Sequence, residues 1–145
     1  MKYNYQNIFY TSTSLTETFN YATDVKKRGD WILSIKSAQL LTEEPVKLGS
    51  RFEEDGQTGK MVLEFVELVN NKRIRYKTIE GKGVFADISW DLDSKDNQTK
   101  IHLSLTLTPK GFIKILFPIL FPLIIKPNMK KEFKLLKDEL DKIHF

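Results

Sequence analysis

The sequence predicts an α+β fold in which a curved antiparallel sheet of about seven strands wraps a long C-terminal helix. Between Ser34 and residue 108, apolar and polar residues alternate with a period of two in short runs separated by turn residues, which is typical of consecutive hairpins. After residue 111 the apolar period becomes helical. Strands and helices do not alternate, so a parallel βαβ sheet is excluded. We expect residues 1–145 to form one domain.

The N-terminal region predicts a strand followed by two short helices. Residues 2–11 mix aromatic, Ile and Thr residues, which favour a strand. Ser14 is followed three residues later by Glu17, a capping-box pattern that opens a helix. A second short helix or turn is predicted over residues 24–31.

The alternating region predicts six further strands, because its apolar runs are bounded by Gly, Asn, Asp and Pro residues. A two-residue loop at 70–71, where Asn tolerates positive φ, would pair Val69 with Lys72 and Phe65 with Tyr76. The six strands span about 34–42, 47–54, 60–69, 72–79, 83–93 and 98–108.

The same reasoning extends across the next two loops and gives the sheet one apolar inner face and one polar outer face. Loops at 80–82 and 94–97 give the pairs Tyr76–Ala86, Ile74–Ile88, Trp90–Ile101 and Ile88–Leu103. The inner face then carries Leu63, Phe65, Ile74, Tyr76, Ala86, Ile88, Trp90, Ile101, Leu103 and Leu105.

The C-terminal segment predicts an amphipathic helix that lies on this face, with Asn128 as its N-cap. Its apolar stripe is Met129, Phe133, Leu136, Leu140 and Ile143.

The apolar run 112–125 precedes this helix and contains Pro118 and Pro122. It is too short to span a membrane, and the prolines predict a broken helix. We interpret it as a mobile gate beside a pocket. A rigid buried connector and a homodimer contact are the alternatives.

Composition excludes several classes of site. The chain has no cysteine, so disulfides and thiolate chemistry are absent. Its two histidines are far apart in sequence, and His144 is expected to fray, so no metal site and no cofactor are predicted. No apolar run of signal-peptide length begins the chain, which predicts a cytoplasmic location.

The net charge of +4 is confined to one segment. Residues 110–145 contain eight lysines and four acidic residues, whereas residues 1–109 are balanced. A solvated helix face explains this excess, and attraction to anionic lipid or to acidic ligands is the alternative. Nucleic acid is not an expected partner, because the lysines are not interleaved with an aromatic platform.

Several residues and short runs match a known family pattern: Thr18-Phe19, Asp24, Trp31, the run 45–52, Thr99 and the run 136–140. Together with the order of elements, they resemble the START-like helix-grip fold, and within it the polyketide cyclase/dehydrase and lipid-transport group of the SRPBCC superfamily. One departure is Ile32, where the family often has proline beside the tryptophan. The resemblance implies a fold that holds hydrophobic molecules between sheet and helix.

We therefore predict a cavity for a hydrophobic small molecule or lipid between sheet and helix. The alternative is that the same side chains interpenetrate as a filled core. The predicted lining residues are Leu63, Phe65, Tyr76, Ala86, Ile88, Trp90, Leu103, Phe117, Phe121, Met129 and Phe133.

Catalytic candidates are few. Glu67 is the only acid that the pairing places on the inner face, and it and Tyr76 are the weak candidates for moving a proton. His102 is expected opposite Ser89 and near Asp91, on the wet face without a cleft. The leading hypothesis is therefore a binding or carrier protein with possible transient contact with a membrane surface. The alternative is a cyclase- or dehydratase-type enzyme acting on a polyketide-like substrate.

Overall fold

A computed structural model describes residues 1–57 and 59–143. Residue 58, in the predicted turn at 55–59, and His144 lie outside the described residues. The seven strands form one antiparallel sheet in the order β1-β7-β6-β5-β4-β3-β2, so β1 and β2 are its edges and the predicted fold class is confirmed. The strands are β1 (Tyr3–Thr11), β2 (Ile35–Leu40), β3 (Arg51–Gly56), β4 (Gly59–Val69), β5 (Arg73–Glu80), β6 (Val84–Lys95) and β7 (Gln98–Pro109).

Two short helices follow β1, as predicted. Helix α1 (Leu15–Thr23) is capped by Ser14, whose side chain accepts the backbone N–H of Glu17. A 3₁₀ helix (Val25–Asp30) follows, and Asp24 accepts the backbone N–H of Lys26 at its start.

The C-terminal helix is longer than predicted. Helix α2 (Ile113–Leu120), a π-helical turn (Phe121–Ile125) and helix α3 (Lys126–Ile143) form one continuous helix. Asn128 therefore lies inside α3, so its predicted N-cap role is wrong. Within the described ranges, no helix is both long and apolar enough to cross a bilayer.

The prolines do not break this helix, which corrects the predicted interruption. The Lys126 N–H bonds to the Phe121 carbonyl, a wider turn than the α-helical one. A π turn readjusts the hydrogen bonds where proline lacks an N–H, so the helix continues past Pro122.

For the hairpin between β4 and β5, the predicted pairing is correct at the centre and wrong at the loop. Phe65 pairs with Tyr76 as predicted, but a bulge follows and Val69 pairs with Arg73 instead of Lys72. The loop contains three residues, with Asn71 in the left-handed region at φ 60°. An extra residue in one strand reverses which face the following side chains occupy.

The next two hairpins are shifted by two residues from the prediction. Tyr76 pairs with Ile88, and Trp90 pairs with Leu103. The last loop contains only Asp96 and Asn97, at φ 52° and 64°, as a type I′ turn requires. A shift of two residues preserves the faces, so the predicted inner face survives these register errors.

Candidate functional site

The predicted lining residues lie between sheet and helix, where their side chains pack against one another. The Phe65 and Tyr76 rings have centroids 5.5 Å apart, and the Tyr5 and Phe133 rings 5.7 Å apart. Leu63, Phe65, Tyr76, Ile88, Trp90, Leu103 and Phe133 belong to the main core, and Ala86, Phe117, Phe121 and Met129 to a second cluster beneath α2. Their contact with a ligand stays a prediction.

An open groove lies between edge strand β1 and α3, with a volume of about 380 Å³. Alternate residues of β1 point to the same face, so Tyr5, Asn7 and Phe9 form one wall. The opposite wall comes from a helical repeat that contains Phe133. The groove as a whole is lined by Tyr5, Asn7, Phe9, Lys130, Phe133, Lys134 and Lys137.

The groove combines an aromatic floor with a cationic rim. Lys137 bonds to the Asp141 carboxylate at 2.7 Å, whereas Lys130 and Lys134 form no ion pair with any described residue. Phe133 is 3% exposed and also contacts Trp31, so the floor is continuous with the main core. This arrangement suits an apolar molecule that carries an acidic group.

A polar network lies inside the main core. Arg28 Nε is 2.5 Å from Glu54 Oε2, and Arg28 Nη1 donates to the Tyr76 hydroxyl at 2.8 Å. Trp90 Nε1–H also donates to the Tyr76 hydroxyl, at 3.1 Å. Burial disfavours the guanidinium charge, but the Glu54 carboxylate and Tyr76 together hold the pKa of Arg28 above its usual value.

A second buried acid, Glu132 of α3, lies near this network. Its carboxylate accepts the backbone N–H groups of Leu33 and Ser34 at 2.8 and 3.2 Å. Burial raises the pKa of Glu132, and the Glu54 charge adds to the rise, while the two N–H bonds oppose it. The helix is therefore tied to the loop after the 3₁₀ helix by a buried acid whose pKa lies above its usual value.

A family model described as "Activator of Hsp90 ATPase homolog 1-like protein" matches residues 12–114, from the approach to α1 into the start of α2. This match covers more than half of the chain. The chain belongs to this family. The predicted membership of the START-like, or SRPBCC, superfamily is thereby confirmed. No curated protein sequence matches the chain.

Solved structures share the fold of this family member at low sequence identity. The Zhui aromatase/cyclase of Streptomyces sp. R1128 has a TM-score of 0.79 and 10% identity, over 98% of this chain and 95% of that chain. A START superfamily protein of Mycobacterium smegmatis has a TM-score of 0.75 and 12% identity, over 97% and 98%. A point mutant of norcoclaurine synthase from Thalictrum flavum, in complex with a transition-state analogue, has a TM-score of 0.69 and 11% identity, over 100% of this chain and 98% of that chain.

In this member of the Hsp90-activator-like family, Glu67 is not an inner-face acid, which corrects its predicted placement. The bulge after Phe65 turns Glu67 to the outer face, where it accepts from Arg73 at 2.8 Å and Arg75 at 3.3 Å. These hydrogen bonds lower the pKa of Glu67. A carboxylate held by two guanidinium groups is a weak base. Glu67 also no longer faces the interior, where it was expected to move a proton.

His102 lies next to Asp91 on the outer face, as predicted, but it is not opposite Ser89. His102 pairs directly with Asp91 across the strands, but its Nε2 lies 3.1 Å from Gln6 Oε1. The Asp91 carboxylate accepts from Arg73 at 2.7 Å, and Ser89 pairs with Ser104 instead of His102. Among the residues that the structure describes, no group of three His, Asp or Glu side chains is placed to hold a metal ion.

Sequence reasoning missed the interior charges of this family member, although local signals exist for two of them. Glu54 follows Phe52 by two residues in β3, so both side chains point inward. Glu132 follows Met129 by three residues and precedes Leu136 by four, which places it on the buried helix face. Arg28 has no such periodic signal.

Proposed function

We propose that the protein binds a hydrophobic small molecule carrying an acidic group in the groove between β1 and α3. The observation that carries the proposal is the combination of an aromatic floor with a lysine rim in a groove of about 380 Å³. Pockets for small molecules have volumes of roughly 300–1,000 Å³, mostly apolar walls and a few polar groups that fix orientation.

The chemistry of the walls defines the ligand class. Tyr5 and Phe9 are half-buried and offer apolar surface that water covers in the free protein, so an apolar body would gain free energy by replacing that water. Lys130 and Lys134 offer ammonium groups for a carboxylate or phosphate. The ligand's tail would lie along the floor with its head group at the helix.

Solved structures with a similar fold support this proposal, but only through that fold. A norcoclaurine synthase with a similar fold is described in complex with a transition-state analogue. The shared architecture is thus able to hold a small organic molecule. The acidic head group is argued only from the lysines of this chain.

Binding of two ligands with the same chain and different head groups tests the proposal. Dodecanoate should displace the fluorescent probe 1-anilinonaphthalene-8-sulfonate at clearly lower concentration than dodecanol. Asn7→Trp fills the groove and should abolish binding, whereas Ile8→Trp, on the outer face of the same strand, should retain it. If both variants bound dodecanoate equally well, the ligand would not occupy this groove.

A charge-reversal pair tests the role of the rim. Lys134→Glu should weaken dodecanoate binding more than about tenfold and leave dodecanol unchanged, since a like charge replaces an attractive one. Lys131→Glu makes the same change at an exposed lysine of the same helix that does not line the groove. Equal losses in the two variants would show a non-specific effect of net charge.

A second candidate is the cyclase- or dehydratase-type enzyme, favoured by the Tyr76 hydroxyl and the Arg28 charge inside an aromatic core. Both groups are buried, so a reactive substrate would have to displace core side chains to reach them. Linear poly-β-ketone thioester analogues would test it by mass spectrometry of cyclised, dehydrated products. Tyr76→Phe should then lose turnover while it retains binding; no product from the unmodified protein would reject the enzyme.

A further inference from the structure

The segment from Phe112 to Ile125 is apolar on two opposite faces. One face packs on the sheet through Phe117, which is fully buried against Tyr3 with ring centroids 4.7 Å apart. The other face, here named the outer stripe, is exposed. Its six members are Phe112, Ile115, Leu116, Ile119, Leu123 and Ile124, between 43% and 77% exposed.

The spacing of the outer stripe is helical, so its side chains form one continuous surface and not scattered exposed residues. A helix that is apolar all round is normally buried in a protein core or in lipid. No other described part of the chain covers this stripe. Isolated exposed apolar residues need no explanation, but a contiguous stripe marks an interaction surface.

The charges around the stripe all have one sign. From residue 97 to residue 131 the sequence contains no Asp or Glu. Five exposed lysines lie within or beside the stripe in sequence, and none forms an ion pair with a described residue. They are Lys110, Lys114, Lys126, Lys130 and Lys131.

We propose that the outer stripe docks the protein on an anionic membrane surface, with the apolar side chains in the interface and the lysines at the lipid head groups. An apolar helix face bordered by lysines is the pattern that binds in the plane of such an interface. The long lysine side chains allow their ammonium groups to remain at the head groups while the stripe enters the lipid.

Charge disfavours a second copy of this chain as the occupant. A two-fold contact through the stripe would place the same lysines of both copies together. No acidic residue from 97 to 131 is available to pair with them. Anionic lipid supplies the complementary charge that a second copy lacks.

Vesicle flotation tests the proposal on the intact chain. The protein should float with vesicles of phosphatidylcholine mixed with phosphatidylglycerol, float much less with phosphatidylcholine alone, and detach as salt is raised. Leu123→Asp should lose at least about tenfold in vesicle affinity, by placing a charge in the apolar face. Leu48→Asp is the matched control, since Leu123 is 70% and Leu48 65% exposed.

A tryptophan placed on the stripe reports its depth. Both native tryptophans are buried, Trp31 at 6% and Trp90 at 0% exposure, so Ile119→Trp adds an exposed reporter. Its emission should shift to the blue on addition of anionic vesicles. No shift, no flotation, or equal behaviour of the Leu123→Asp and Leu48→Asp variants would overturn the proposal. A dimer in sedimentation that Leu123→Asp dissociates, without vesicle binding, would assign the stripe to self-association instead.

The test is independent of the groove ligand. Asn7→Trp, which fills the groove, should leave flotation unchanged. Lys114→Glu should weaken flotation about tenfold, at roughly the contribution expected of basic residues at an anionic surface. Loss of flotation in Asn7→Trp alone would show that vesicle lipid occupies the groove, and would overturn docking through the stripe.

Discussion

Arg28 and Glu54 form an ion pair inside the apolar core, with side chains only 6% and 7% exposed. Arg28 comes from the 3₁₀ helix and Glu54 from β3, so the pair joins the helical layer to the sheet. The guanidinium carbon also lies 4.9 Å from the centre of the Phe52 ring and 4.7 Å from that of Tyr76. A pair so deeply buried contributes little net stability, but either charge alone is costly.

Glu54→Leu should therefore lower the free energy of unfolding by about 3–5 kcal/mol, because it leaves the Arg28 guanidinium buried without its carboxylate. Urea denaturation measures the loss. The double variant Arg28→Met/Glu54→Leu removes both charges and should recover most of it. If the double variant lost as much free energy of unfolding as its two single variants together, packing and not the unpaired charge would set the cost.

Tyr76→Phe should destabilise the fold by at least about 1–3 kcal/mol, because the hydroxyl accepts buried hydrogen bonds from both Arg28 and Trp90. Chemical denaturation checks this. Tyr10→Phe is the control, since the Tyr10 side chain lies on the outer face of β1 opposite Lys100. That change should stay within about 0.5 kcal/mol. Similar costs for both variants would contradict the network.

Phe133→Ala should cost about 3–5 kcal/mol, since its ring is 3% exposed and packs between Tyr5 and Trp31. Thermal or urea unfolding gives the value. A clearly smaller loss would show that the ring makes few packing contacts with the core. A loss below about 0.5 kcal/mol, as for a surface residue, would mean that α3 is not docked on the sheet.

The sheet's faces were predictable because side-chain direction has a period of two. The predicted pairing of β5 with β6 and of β6 with β7 was wrong by two residues in each case. Tyr76 and Trp90 nevertheless point inward, as predicted. One bulge after Phe65 was enough to turn Glu67 outward, and no residue type announces it. A one-residue bulge reverses which face the later side chains occupy, whereas a register shift of two residues leaves the faces unchanged.

The groove and the buried charges were not predictable in the same way. The pair Arg28–Glu54 joins residues 26 positions apart, and a charge is placed inward only if its distant partner is known. The groove depends on how far α3 lies from edge strand β1, which helical periodicity does not specify. The composition did indicate its lysines, as part of the excess charge after residue 110.

The two acids Glu132 and Glu67 should give stability profiles of opposite sign. Burial raises the folded-state pKa of Glu132, so its charged form opposes folding. The folded state then binds more protons than the unfolded state between the unfolded pKa, about 4.3, and the higher folded pKa. Stability from this group is greatest below that window and falls as pH rises through it. The charges that act on it include Glu54, itself paired with Arg28.

Glu132→Gln retains an oxygen for the Leu33 and Ser34 N–H groups but removes the charge. Relative to the unmodified protein, it should therefore gain stability as pH rises from about 4 to 7, in urea titrations at each pH. Glu67→Gln should behave oppositely, because Arg73 and Arg75 lower the Glu67 pKa. Its carboxylate stabilises the fold above the unfolded pKa, and that contribution disappears as pH falls through the folded value. If both variants shifted in the same direction with pH, burial would not raise the pKa of Glu132 in the folded state.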